Sequence, residues 1–157
     1  MRKNTLLITS NRIGPNSSLP IDYSYDGKNV NPPLLIKNLP RNTKSIAIIM
    51  KDTEIESRIH WVAYNIPAIG FVKENEKQCE LGFNGFKSKG YSGPKPNGKV
   101  HTYVFRVYAL DDYLYFPRHC VSPLDVEEGI RYHLLGYGEL RVVYEGVSEY
   151  HLAELAR

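Results

Sequence analysis

The 157-residue chain has no apolar run approaching the 18 or more residues that a transmembrane helix needs, so no membrane-spanning segment is expected. Cysteine is scarce: Cys79 and Cys120 are the only two, without a CxxC or a Cys/His metal spacing, and free thiols in a reducing compartment are expected. Charge of one sign is also scarce. Twenty Lys and Arg against 17 Asp and Glu leave a net charge of +3, with no dense basic block of the kind that marks a nucleic-acid stripe. No nucleic-acid partner is therefore expected, whereas anionic small ligands, acidic protein surfaces and peripheral phospholipid headgroups suit this mild bias. The opening "MRKNTLLITSNRIG" has basic residues, but its apolar run is too short for a secretory signal and no Ala-x-Ala site follows. A cytoplasmic protein is the expectation. HExxH, a nucleophile elbow and a Ser or Cys nucleophile beside a base are all missing, which points away from an enzyme and names no catalytic residue, metal or cofactor.

What is present is a series of short runs rich in Ile, Val, Tyr and Phe: "LLITS", "PPLLIKNL", "SIAIIMK", "HWVAYNI", "HTYVFRVYAL" and "ELRVVYEG". Such residues favour pleated, half-buried positions, so these runs read as strands. The segments between them are full of Gly, Asn, Asp and Pro, and one, residues 74–100, is long enough to suggest a functional loop. One helix is expected over "SPLDVEEGIRYHLLG". Ser122 caps it, Pro123 suits its first turn, Val126, Ile130 and Leu134 share a face, and Gly136 ends it. The tail "SEYHLAELAR" suggests a further short helix. With no internal repeat or low-complexity linker, residues 1–157 read as a single β-rich domain.

Polar groups gather at strand ends. Asp52 and Glu54 close one apolar run, and His60 opens the next beside the only tryptophan. Alternation puts His60, Val62, Tyr64 and Ile66 on one face of their strand, and His101, Tyr103, Phe105 and Val107 on one face of another. Before the second strand, Gly93, Pro94, Pro96 and Gly98 form a stiff turn whose unshielded glycine backbone can approach a ligand. Each stretch also has a bland reading: solvated carboxylates and a strand-end histidine in one, a core-facing aromatic strand with wet tips in the other. "YDGKNVNPPL" reads as turns alone, and His119, His133 and His151 as structural or surface residues.

In order, "YDGKNVNPPL", "NTKSIAIIMKD", "HWVAYNIP", "GFNGFKSKGYSGPKP" and "GKVHTYVFRVYALD" resemble the phosphatidylethanolamine-binding protein family, which includes Raf kinase inhibitor protein. The resemblance is to the short prokaryotic type and covers residues 21–145, leaving a tail at 146–157. It implies a mainly β fold: a large central antiparallel sheet packed with a smaller sheet, with few peripheral helices. It also implies a small pocket for phosphate or carboxylate anions. Carried over by position, the ligand-binding residues are Asp52, Glu54, His60, Gly93, Pro94, His101 and Tyr103. In this picture Asp52 either orients His60 and keeps it cationic or accepts a proton from a protonated phosphate oxygen, while the Tyr103 hydroxyl and the Gly93 amide donate to the anion.

The chain departs from the family pattern where "DTEIE" replaces Asp-Pro-Asp-Ala-Pro, and where Arg58 and Ile59 precede the histidine. Arg58 adds a phosphate-seeking cation. The leading expectation is a non-enzymatic binding protein for a small phosphorylated or carboxylated ligand that modulates a partner such as a protein kinase. The alternatives are a serine protease inhibitor acting through "YSGPKPNGK", and a phosphoester hydrolase using His60, His101 and Asp52 as a metal or acid–base set. The oligomeric state is not legible.

Overall fold

The apolar run Ser45–Asp52 shows little alternation because it becomes a strand covered on both faces. The computed structural model describes residues 4–14, 16–55 and 57–146; residues 147–157, including the expected tail helix and His151, lie outside the described residues. Among the described residues nine strands form: β1 (Asn4–Thr5), β2 (Leu7–Thr9), β3 (Leu34–Lys37), β4 (Ser45–Asp52), β5 (Ile59–Pro67), β6 (Phe71–Val72), β7 (Glu80–Leu81), β8 (His101–Leu110) and β9 (Leu134–Tyr144). Six of them make a large sheet in the order β1-β9-β8-β4-β5-β7, and β2-β3-β6 make a smaller one. The large sheet is antiparallel except at its edge, where β1 runs parallel to β9. This is the expected mainly β, two-sheet architecture.

Ile46, Ile48 and Met50 of β4 pack with Trp61, Phe105 and Val107 on the face that meets Ile8, Leu34, Ile36 and Val72 of the small sheet. Ala47 and Ile49 face the other way, toward Val126 and Ile130 of helix α1 (Pro123–His133). Trp61, Phe105 and Met50 are fully buried, each contributing about 1.5–3 kcal/mol by leaving water. Among the described residues no helix is long and apolar enough to cross a membrane. Cys79 is half-buried, Cys120 is exposed, and both are free.

Helix α1 starts as expected. The Ser122 hydroxyl accepts from the Asp125 amide, and the Asp125 carboxylate accepts from the Ser122 amide. It ends earlier than its periodicity suggests. Asp111 captures the last residue from both sides: its amide donates to the His133 carbonyl at 2.9 Å, and its carboxylate accepts from His133 Nδ1 at 2.8 Å. Leu134 then turns extended, and Gly136 lies inside β9 opposite Asn4 instead of terminating the helix.

The strict alternation expected along β5 also fails, for a reason that shapes the site. The β4–β5 register slips twice, once between Met50 and Lys51 and once between Ile46 and Ile48. The first slip leaves His60 as an extra residue between the pairs Lys51–Ile59 and Met50–Trp61. His60 thereby joins the face of Trp61 and Tyr103 instead of that of Val62 and Tyr64. The second slip centres on Asn65, whose φ of 55° is left-handed, and it returns Ile66 to the face of Trp61.

Asn65 holds this kink with its side chain, accepting from the Leu114 amide at 2.8 Å and donating to the Leu114 carbonyl at 2.9 Å. Replacing Asn65 with Ala removes both bonds and leaves a Cβ residue in left-handed backbone, an expected loss of about 2–4 kcal/mol in chemical denaturation. Asn65→Gly should recover only the backbone share. Equal stability of all three proteins would show that the kink carries no strain.

Candidate functional site

The face shared by Met50, Trp61 and Phe105 turns polar at one end of the large sheet, where β4 ends in Asp52, β5 begins with the bulged His60, and β8 begins with His101 and Tyr103. A cavity of about 390 Å³ opens there, lined by Tyr25, Asp52, Arg58, His60, Phe86, Ser92, Gly93, Lys95 and Tyr103. Four of the seven residues expected from the sequence, Asp52, His60, Gly93 and Tyr103, stand in its wall. His101, Glu54 and Pro94 do not; they support it from behind.

Asp52 is 2% exposed, and both of its oxygens are occupied. Oδ1 accepts from the amides of Glu54 at 2.8 Å and Ile55 at 3.2 Å; Oδ2 accepts from His101 Nδ1 at 2.8 Å. Burial alone would raise the Asp52 pKa, but these three donors outweigh it and hold the carboxyl below its ordinary value. Asp52 therefore orients His101, not His60 as the sequence suggests. The misassignment follows from the bulge, which separates His60 from simple cross-strand geometry. Glu54 bends back over the same imidazole, its Oε2 accepting from the Thr102 amide at 3.1 Å and lying 3.4 Å from His101 Nδ1.

His60 takes its partner from the loop. Its Nδ1 lies 2.7 Å from the Ser92 carbonyl, while the Ser92 amide donates to the His60 carbonyl at 2.8 Å. The ring touches Phe86 and Tyr103 at centroid distances of 5.1 and 5.3 Å. Burial pushes the His60 pKa down, and the Ser92 carbonyl and the Asp52 charge only partly offset that. Burial thus disfavours the cationic imidazole that the sequence suggests. Tyr103, 1% exposed, has its phenol pKa raised by burial and by Asp52 and Glu54, so its hydroxyl keeps its proton and can donate.

The turn at Gly93 differs from expectation in its purpose. Its amide already donates to Asn29 Oδ1 at 2.6 Å, and a Cβ there would stand 2.6 Å from the Tyr23 carbonyl oxygen. Glycine is needed here for packing against Tyr23 and Ser24. Pro94 continues that contact, its carbonyl accepting from the Tyr25 amide at 3.0 Å. "YDGKNVNPPL" is accordingly more than turn chemistry: Asn29 and Asp26 brace the site, the latter accepting from the Tyr144 hydroxyl at 2.8 Å.

Tyr25, Phe86, Ser92 and Lys95 were not singled out by sequence. Phe86 is presented by a turn knotted around buried Asn84, whose side chain bonds Ser88, Gly90 and the Phe86 amide. Lys95 lies over the Tyr25 ring at 5.0 Å. For a metal, the donor atoms that converge among the described residues are those of Asp52, Glu54 and His101, all within 4.8 Å of one another; His60 is not among them.

A two-sheet β domain with a mostly apolar cavity edged by polar groups at the sheet end is consistent with a binding protein. The sequence profile described as phosphatidylethanolamine-binding protein matches residues 9–145, and the chain belongs to that family. It is 38% identical over 152 residues to a UPF0098 protein of Pyrococcus horikoshii, covering 88% of this chain and 76% of that one. A UPF0098 protein of Methanothermobacter thermautotrophicus is 36% identical, with 80% and 89% covered. Among solved structures, a putative phosphatidylethanolamine-binding protein homolog from Chlamydia trachomatis superposes with a TM-score of 0.82 at 28% identity, covering 91% of this chain and 99% of that one. Escherichia coli YbcL, described as a new member of the mammalian family, gives 0.78 at 25% identity, with 89% and 98% covered.

Because the folded Asp52 carboxyl titrates below its ordinary 3.8, its stabilising effect is complete above about pH 5 and fades as pH falls through 3.8 and lower. Asp52→Asn should therefore be less stable than the natural protein at neutral pH, with the gap closing on acidification in pH-resolved denaturation. A gap independent of pH would contradict this account. Gly93→Ala should lower the melting temperature and displace the 91–96 loop, seen as amide shifts at Tyr23 and Ser24.

Proposed function

We propose that the protein is a non-enzymatic binding module that receives a phosphate- or carboxylate-bearing group in the end-of-sheet cavity and thereby modulates a partner protein such as a kinase. The observation that carries this reading is the gathering of Arg58 and Lys95 around a cavity that also holds the Tyr103 hydroxyl and an unpartnered edge of His60. Two cations supply attraction, and the phenol supplies a directional donor in a setting partly shielded from water. The Asp52 carboxylate stands in the same wall, but both of its oxygens already accept hydrogen bonds, so its repulsion of an anion is muted.

The protease-inhibitor reading draws less support. The loop Tyr91–Lys99 is packed down, with Gly93, Pro94 and Pro96 buried and the Tyr91 hydroxyl bonded to the Tyr23 carbonyl at 2.6 Å. An inhibitor that fills a protease cleft needs an extended, protruding segment. The hydrolase reading has the Asp52–Glu54–His101 donor cluster, but their hydrogen bonds to one another and to backbone already account for that arrangement.

An NMR titration with inorganic phosphate and O-phosphorylethanolamine tests the proposal. Saturable shifts at His60, Tyr103 and Lys95 are expected. Arg58→Ala and Lys95→Ala should each weaken binding by about two- to five-fold and reduce its salt dependence. Absence of any shift at millimolar ligand would remove the anion-site reading.

A further inference from the structure

His60 is the one cavity residue whose hydrogen-bonding polarity is forced by its neighbours. A carbonyl oxygen only accepts, so the 2.7 Å contact with the Ser92 carbonyl requires the proton to sit on Nδ1. The reciprocal bond from the Ser92 amide to the His60 carbonyl at 2.8 Å ties the same two residues through their backbones, which holds the Ser92 carbonyl in place beside Nδ1. Nε2 is left buried and without a hydrogen-bond partner, on a ring that lines the cavity in a residue only 3% exposed. An orphaned buried acceptor is costly, and a ligand that satisfies it gains accordingly.

The charges facing His60 come from four directions. Asp52 lies on β4, Arg58 just before β5, Lys95 on the 91–99 loop, and His101 and Tyr103 on β8; Tyr25 and Phe86 complete the wall. Asp52 favours a second proton on His60, but both of its oxygens already accept, from His101 and from two amides. Burial and Arg58 oppose that proton and prevail. The cavity thus combines attractive cations at Arg58 and Lys95, a donor at Tyr103, and an acceptor at His60.

We infer that the cavity selects oxyanions that carry their own proton, hydrogen phosphate and monoprotonated phosphomonoesters, over isosteric anions that carry none, such as sulfate, because His60 Nε2 accepts a hydrogen bond from the ligand. This rests on the anion-binding reading above and adds the chemical class to it. A hydrogen phosphate directs its P–O–H at Nε2 and its remaining oxygens at the Tyr103 hydroxyl and the cations. A sulfate places a lone pair against a lone pair unless His60 first takes a proton from solvent. Its binding is therefore linked to uptake of about one proton, and weakens by about tenfold per pH unit above the His60 pKa.

Inorganic phosphate and sulfate near pH 8 make a clean comparison, since both are then predominantly dianions of similar size and differ in the proton. Calorimetric titration in two buffers of different ionisation enthalpy, near pH 6 and near pH 8 at constant ionic strength, reads affinity and proton uptake together. Expected near pH 8 is phosphate binding at least about tenfold tighter than sulfate, with proton uptake on sulfate binding only. His60→Gln, whose amide can turn either N–H or C=O to the ligand, should narrow that ratio. Lys95→Ala should weaken both anions and leave the ratio unchanged. Equal affinities with equal proton uptake in the natural protein would overturn the selectivity and leave the anion site standing. Binding of neither anion would overturn both.

Discussion

Strand β5 and the loop Tyr91–Lys99 hold each other through two bonds between the same residues, the Ser92 amide to the His60 carbonyl and His60 Nδ1 to the Ser92 carbonyl. The cavity depends on this clasp. It sets the loop at a fixed height above the sheet end, which brings Gly93 against Tyr23 and Asn29 and places Lys95 and Tyr25 on the wall. It also spends the only donor of a neutral imidazole on the protein itself, leaving the ring's acceptor to whatever enters. The bulge that makes His60 an extra residue in β5 is what aims the ring at the loop in the first place.

A second constraint is the burial of a carboxylate at the end of an otherwise apolar strand. Asp52 tolerates this because both of its oxygens accept, Oδ1 from two amides of the turn that follows it and Oδ2 from an imidazole of β8. The segment after Asp52 lacks the family's prolines, yet the amides of Glu54 and Ile55 reach Oδ1. Glu54 does not enter the cavity. It instead reinforces the β8 end through Thr102 and His101, so one of the two acidic residues lines the site and the other braces it.

Much of this was legible in the chain. The strands follow from β-branched and aromatic runs, the start of α1 from Ser122 and Pro123, and the inward face of β8 from simple alternation of His101, Tyr103, Phe105 and Val107. These signals are local: a period of two or an N-cap is a property of a few consecutive residues. The motifs likewise brought Asp52, His60, Gly93 and Tyr103 to one place. Alternation misled along β5, because a bulge is a decision between two strands and leaves no mark in either one alone. The short β6 and β7 were invisible for a related reason, being two-residue pairings imposed by their neighbours.

Residue order thus carries which segments extend, where the helix begins and which polar groups stand at strand mouths. It does not carry which partner each polar group takes. That His101 rather than His60 holds Asp52, that the Gly93 amide serves Asn29, and that Arg58, Phe86 and Lys95 meet around one cavity all depend on segments tens of residues apart arriving within about 3–6 Å of each other. Hydrogen-bond choice at such distances is settled by packing and register, and these exist only once the sheet and its loops have closed.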